Sequence, residues 1–258
     1  MPIISTLDGD IFYLKRGQTG PPLICIHGAG GTHQHWGNQL RDLSDIAQLY
    51  ALDLPGHGRS APPGRDSIAG YLGALLAFMD ALGLGRAALA GHSMGGAVAL
   101  QAALDVPERV SGLGLIGTGG RMRVAPAILD GLSGDRLATI RTIVEYAYAP
   151  DVSERTRRQA EAAYALCEPT VYRGDYLACD AFDVLSRLVE IDCPTAVVCG
   201  TADRMTPPKY AEALCDRVPS STLTLIAGAG HMAPIERPAA VSAALRELIT
   251  RLEFGSRD

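Results

Sequence analysis

The sequence predicts an α/β domain: a mainly parallel, twisted sheet with helices on both faces and a helical lid inserted between two of its strands. Three observations carry this. Short apolar runs of strand length alternate with longer stretches of helical spacing, the order that builds parallel strands joined by crossover helices. The alternation breaks once, from about Thr118 to Glu190, where no buried strand is recognisable, and then resumes. Finally, one apolar run passes into a helical stretch through the very short turn Gly91-His92-Ser93-Met94-Gly95. The resulting boundaries are 1–117 and 191–258 for the core and 118–190 for the lid.

The elements follow in order. Ile3 to Thr6 and Ile11 to Lys15, separated by Asp8-Gly9-Asp10, read as a hairpin at a sheet edge. Leu23 to His27 is a continuous apolar run of the kind expected for a strand covered on both faces. It ends in His27-Gly28-Ala29-Gly30-Gly31, where glycines leave room for backbone amides to approach a ligand. A helix over Trp36 to Leu43, a strand over Gln48 to Leu52 and the loop Asp53 to Ser60 come next. Ser67 to Leu82 reads as a helix with Ser67 as cap and Gly83 as terminator.

The run Ala87 to Ala90 is a buried strand, Ala97 to Leu104 a helix of good formers, and Val110 to Ile116 a further strand. In the lid, Pro126 to Leu132, Leu137 to Ala147, Ser153 to Cys167 and Phe182 to Leu188 are the helical stretches. The core resumes with a strand over Thr195 to Cys199, a helix from about Pro208 to Asp216, a strand over Leu223 to Ile226 and a terminal helix from about Arg237 to Leu252. The tail Gly255 to Asp258 is expected to fray.

At 258 residues the chain suits one large α/β domain and is too short for two ordinary domains plus a linker. Hydrophobic residues make up 47% and charged ones 20%, the balance of a soluble globule. A net charge of -5 with no basic run points away from nucleic acid or an anionic membrane as partner and toward a small molecule. The start Met1-Pro2-Ile3-Ile4-Ser5 lacks the pattern of a signal peptide, and no apolar stretch approaches about 18 residues, so the cytoplasm is the expected compartment. The six cysteines lack C-x-x-C spacing, and Cys25 and Cys199 fall in apolar runs, so all are expected as buried reduced thiols. Oligomeric state is not legible.

Chemistry concentrates on the serine turn. Glycines two before and two after Ser93 remove side chains that would clash in so sharp a bend, lifting the hydroxyl above the sheet. The next amide, of Met94, then faces a substrate oxygen, and the amide of Ala29 is the natural second donor to an oxyanion. A serine hydroxyl needs a base, usually an imidazole oriented by a carboxylate. Of six histidines, His231, in the glycine-flanked loop Gly228 to Pro234 after the last strand, can swing toward Ser93. His27 and His57 read as structural hydrogen-bonding rings, His92 as shaping the site, and His33 and His35 lack the carboxylates or thiols a metal would need. Asp203 follows the strand after the lid, whereas the competing position after the preceding strand reads Gly117-Thr118-Gly119-Gly120 and holds no carboxylate.

The motifs H-G-A-G-G, D-L-P-G-H-G-R-S, G-H-S-M-G-G, the G-x-x-D of Gly200 to Asp203 and G-H-M-A-P occur in the order of the α/β-hydrolase superfamily, which the chain resembles over nearly its whole length outside the lid. That resemblance implies Ser93 as nucleophile, His231 as general base and then acid, Asp203 as its orienting carboxylate, and the amides of Ala29 and Met94 as the oxyanion hole. It implies no cofactor and no metal. The expected reaction is hydrolysis of a small to medium, partly apolar carboxylic ester or lactone through an acyl-serine. Two alternatives stay open: cleavage of carbon-carbon bonds in vinylogous diketones by the same three groups, and a ligand receptor on a hydrolase scaffold. In the lid, Tyr146, Tyr148, Tyr164, Tyr172 and Tyr176 are candidates to wall the pocket, and Arg121 and Arg123 to hold an acidic group at its entry.

Overall fold

A computed structural model describes residues 2–255. Strands β1 (Ile3–Thr6) and β2 (Gly9–Arg16) form the expected antiparallel hairpin, and β2 pairs antiparallel with β4 (Gln48–Leu52). The remaining strands, β3 (Pro22–Ile26), β5 (Ala87–His92), β6 (Val110–Ile116), β7 (Thr195–Gly200) and β8 (Ser221–Ile226), join β4 through parallel pairings only. The sheet order is β1-β2-β4-β3-β5-β6-β7-β8. From β3 the chain steps outward to β4 and then crosses back to β5 on β3's other side. The direction of winding therefore reverses between neighbours, and open α/β sheets bind ligands in the crevice beyond such strand ends.

The central strands are buried on both faces, which explains their unbroken apolar composition. Ile24, Leu89, Leu115 and Val197 point into one core with α2 (Ile68–Ala81) and α3 (Met94–Asp105), while Cys25, Ala90, Ile116 and Val198 point into the other with α1 (Gly37–Asp42) and the C-terminal helix. Ser67 caps α2, its hydroxyl accepting from the Gly70 amide at 3.2 Å. Ahead of α1 the stretch His33–Trp36 is a separate 3-10 turn.

Between β6 and β7 lie four helices: α4 (Pro126–Ser133), α5 (Arg136–Ala147), α6 (Glu154–Leu166) and α7 (Pro169–Ala181). The last corrects the expectation of a helix over Phe182 to Leu188. That stretch spends its backbone on Gly120 and Met122, with Val184 N donating to Gly120 O at 2.7 Å and Met122 N donating to Phe182 O at 3.3 Å. The helix comes before it, started by the Glu168 carboxylate, which accepts from the amides of Thr170 and Val171 at 2.9 and 3.0 Å.

After β7 come α8 (Pro208–Cys215), the short α9 (Ala233–Glu236) and α10 (Pro238–Gly255); α10 is the terminal helix expected from about Arg237, and α9 is an additional turn of helix ahead of it. Of the tail expected to fray, residues 256–258 lie outside the described residues. The cysteines are all free, but only Cys25, Cys179 and Cys199 are buried, whereas Cys167, Cys193 and Cys215 are half-buried. No described helix is long and apolar enough to cross a membrane.

Candidate active site

Ser93 sits at φ 53°, ψ -119°, the only non-glycine residue with positive φ among those described. Its amide is anchored to the carbonyl of Ile116 at 2.9 Å. The flanking glycines are required by close approach: a Cβ on Gly91 would lie 2.2 Å from the carbonyl oxygen of Gly95, and one on Gly95 would lie 2.3 Å from that of Ile26.

Asp203 and His231 arrive from two other strand ends. The Asp203 carboxylate is almost wholly buried and accepts four hydrogen bonds. Oδ1 takes the amides of Met205 and Thr206 at 2.9 and 2.8 Å, and Oδ2 takes the Thr206 hydroxyl at 2.8 Å and His231 Nδ1 at 2.9 Å. Burial pushes the carboxyl's pKa up, but His231 and the Thr206 donors outweigh it and hold the group below the ordinary carboxylate value. With Nδ1–H donated to Asp203, the Nε2 of a neutral His231 is an acceptor.

The His231 loop is tied to the inserted helices. His231 N donates to Ala147 O at 2.8 Å, and the Glu236 carboxylate accepts from the amides of both Gly230 and Ala149, at 3.0 and 3.1 Å. Beside it, His92 donates from Nε2 to the His231 carbonyl at 2.9 Å, which leaves its buried Nδ1 unpartnered. Burial first, then the neighbouring His231 and His35, push the pKa of His92 far below its ordinary value, so this ring is neutral.

Ser93 and His231 share the wall of one cavity, with about 680 Å³ of empty space including its open mouth. Among the described residues the Ser93 hydroxyl has no hydrogen-bond partner, and a serine can wait in this way until a substrate aligns it. Ala29 lines the same cavity. Met94 does not; its side chain is buried in the core, and its amide, at the first position of α3, has no intrahelical acceptor. Of the five tyrosines expected on the wall, Tyr164 and Tyr176 line the cavity, joined by Tyr210 from α8. Tyr148 and Tyr172 are buried behind it, and Tyr146 is exposed beneath the Arg204 guanidinium, 4.8 Å from its ring centroid. Arg123 lines the cavity, while Arg121 stands in an adjoining hollow.

One polar group was not anticipated. Asp175 of α7, fully buried, accepts from the Gly30 amide at 2.7 Å and from His57 Nε2 at 2.8 Å through Oδ2, and from the Tyr71 hydroxyl through Oδ1. His57 also faces the Pro55 carbonyl at 3.1 Å through Nδ1, so both ring nitrogens are donors, as in an imidazolium. Burial lowers the His57 pKa, but Asp175 more than reverses this and raises it above its ordinary value. A carboxylate on the inserted helices thus holds the residue next to Ala29. His27 is fixed as a neutral ring, its Nε2 accepting from the Leu54 amide at 3.0 Å and its Nδ1 facing the Gly28 carbonyl at 2.8 Å. His33 bonds Asp53 at 2.8 Å, and among the described residues no group of three or more His, Cys, Asp or Glu side chains is placed to hold a metal ion.

An eight-stranded sheet thus carries a serine in a strained turn at one strand end and a buried, hydrogen-bonded Asp-His pair at two others. The family model of the alpha/beta hydrolase family matches residues 23–244, and the chain belongs to that family. It is 31% identical over 250 residues to the dihydrolipoyllysine-residue acetyltransferase component of the acetoin cleaving system of Cupriavidus necator, an alignment covering 91% of this chain and 65% of that protein. Among solved structures, a thermophilic esterase is 31% identical with a TM-score of 0.86, covering 97% of each chain. The enol-lactonase of Burkholderia xenovorans LB400 superposes with a TM-score of 0.90 over 96% of this chain and all of that one (100%); at 22% identity it speaks for the fold alone.

Proposed function

We propose that this hydrolase cleaves small to medium, partly apolar carboxylic esters or lactones through an acyl-Ser93 intermediate. The observation that carries the reading is His231, on the wall of the cavity that also holds Ser93 and bonded through Nδ1 to the buried Asp203 carboxylate at 2.9 Å. His231 Nε2 takes the Ser93 proton as Oγ bonds to the carbonyl carbon, and returns it to the departing alkoxide as the carbon-oxygen bond breaks. Water then attacks the acyl-serine with His231 again as base, releasing the acid and restoring the hydroxyl. The amides of Ala29 and Met94 receive the negative oxygen in both halves, each worth about 10²- to 10³-fold in rate. The tyrosine- and methionine-rich wall suits an apolar acyl or alcohol part, and the six free thiols suit a reducing cytoplasm.

Ser93→Ala tests this on short-chain p-nitrophenyl esters, with a fluorophosphonate probe for the serine. The expected result is a fall of more than about 10³-fold in kcat and loss of labelling. Activity within tenfold of the parent would sink the assignment, and a marked preference for dienoate ring-cleavage products over every ester would move the substrate to carbon-carbon cleavage.

A further inference from the structure

Next to the cavity of Ser93 is a second hollow, lined by Gly120, Arg121, Arg123, Leu185, Lys209 and Tyr210 among others. Arg123 and Tyr210 line both hollows, so they form a shared wall. We propose that this vestibule is a subsite for an oxyanion, a carboxylate or phosphate, carried by the substrate at a distance from its scissile carbonyl. The inference rests on the ester-hydrolase reading and adds to it the charge of the substrate.

Arg123 is pre-positioned: Nη1 donates to the Asp180 carbonyl at 2.6 Å, and the adjacent Val124 amide donates to Asp180 Oδ1 at 2.9 Å. Among the described residues no carboxylate is within ion-pair distance of Arg123 or Lys209. Arg121 meets Asp183 through Nε at 3.4 Å, a long contact between two half-exposed groups that leaves its terminal nitrogens available. The nearby acids are therefore committed, Asp180 to a backbone amide and Asp183 to Arg121. Three cations facing one hollow in a chain of net charge -5 run against the protein's average field and create a local attraction for anions. Two guanidiniums offer the planar fork that matches carboxylate and phosphate oxygens. Because the cations are exposed, the attraction should weaken with salt.

The test compares p-nitrophenyl esters ending in a free carboxylate with the same esters capped as methyl esters, and a phosphate-ended ester with its neutral alcohol. At low salt, kcat/KM for at least one anionic ester should exceed that of its neutral counterpart by roughly threefold to tenfold, the scale of an exposed charge-assisted contact. The ratio should fall toward one in Arg123→Gln, in Lys209→Gln and at about 0.5 M NaCl. Which arm responds identifies the source of the oxyanion. Calorimetric binding of the same pairs to Ser93→Ala reads the subsite without turnover. Equal affinities for charged and neutral partners, or a preference untouched by both substitutions, would overturn the subsite. Absent turnover and absent fluorophosphonate labelling, with the binding preference intact, would instead overturn the ester reading alone.

Discussion

Ser93 pays for its exposure with backbone strain. An L-residue at φ 53°, ψ -119° costs of order 1–3 kcal/mol, and here it is held by the Ile116 carbonyl and by glycines that let the turn close. Ser93→Gly should therefore be more stable than Ser93→Ala by about 1 kcal/mol, because relief of strain exceeds the extra unfolded-state entropy of glycine, about 0.5–1 kcal/mol. Urea midpoints of the two variants decide this, and an alanine variant as stable as the glycine one would refute it. At Gly95 the sign reverses. The Cβ of alanine would meet the Ile26 carbonyl, which is backbone and cannot rotate away, so Gly95→Ala should lose at least about 2 kcal/mol. A loss below about 0.5 kcal/mol would show that the elbow has slack the geometry does not suggest.

Among elements, α7 joins the inserted helices to the core through Asp175. Asp175→Ala would leave the His57 ring, the Tyr71 hydroxyl and the Gly30 amide without their acceptor, at an expected cost of about 3–5 kcal/mol. Asp175→Asn, which keeps one acceptor oxygen, should cost less; equal midpoints for parent and Asp175→Ala would contradict the assignment. This helix was also the element least legible in the sequence. Its stretch Pro169 to Ala181 carries Thr170, Val171, three aromatic or glycine positions and Asp175, all weak helix formers, so propensity argued against it. Burial of Val171, Tyr172, Tyr176 and Cys179 along one face decided the outcome instead. Phe182 to Leu188 showed the opposite: good local spacing, overridden by backbone pairing with Gly120 and Met122. The core strands were legible because their composition reports burial directly, and Ser93, Asp203 and His231 because each lies in a loop at the carboxyl end of a strand. Asp175 was not, since its partners lie 145, 118 and 104 residues away and no local pattern marks them.

Across the whole molecule four histidines, His27, His35, His57 and His92, are shifted in one of two directions, and the opposite signs shape the dependence of stability on pH. His27, His35 and His92 are held neutral, mainly by burial, with His35 pushed down to about 4. Below about pH 6.5 the unfolded chain binds protons on these rings that the folded chain refuses, so stability is lost as pH falls, by about 1.4 kcal/mol per unit for each ring. His57 has the reverse sign: its pKa is raised by Asp175, so its contribution is fully present below about pH 6.5 and is lost as pH climbs through the folded value. Asp203, held low, adds a loss only under strongly acidic conditions, as pH falls below its ordinary value of about 4. Stability should therefore peak near pH 6.5, falling steeply toward pH 5, where up to three rings act together, and more gently toward pH 8, where one acts alone. Urea midpoints measured from pH 5 to 8 check both limbs. His57→Gln should lower the whole curve, since Asp175 loses its cation, while flattening the alkaline limb and leaving the acid limb in place. A parent curve level between pH 5 and 6.5 would mean that the three neutral rings take up protons in the folded state after all.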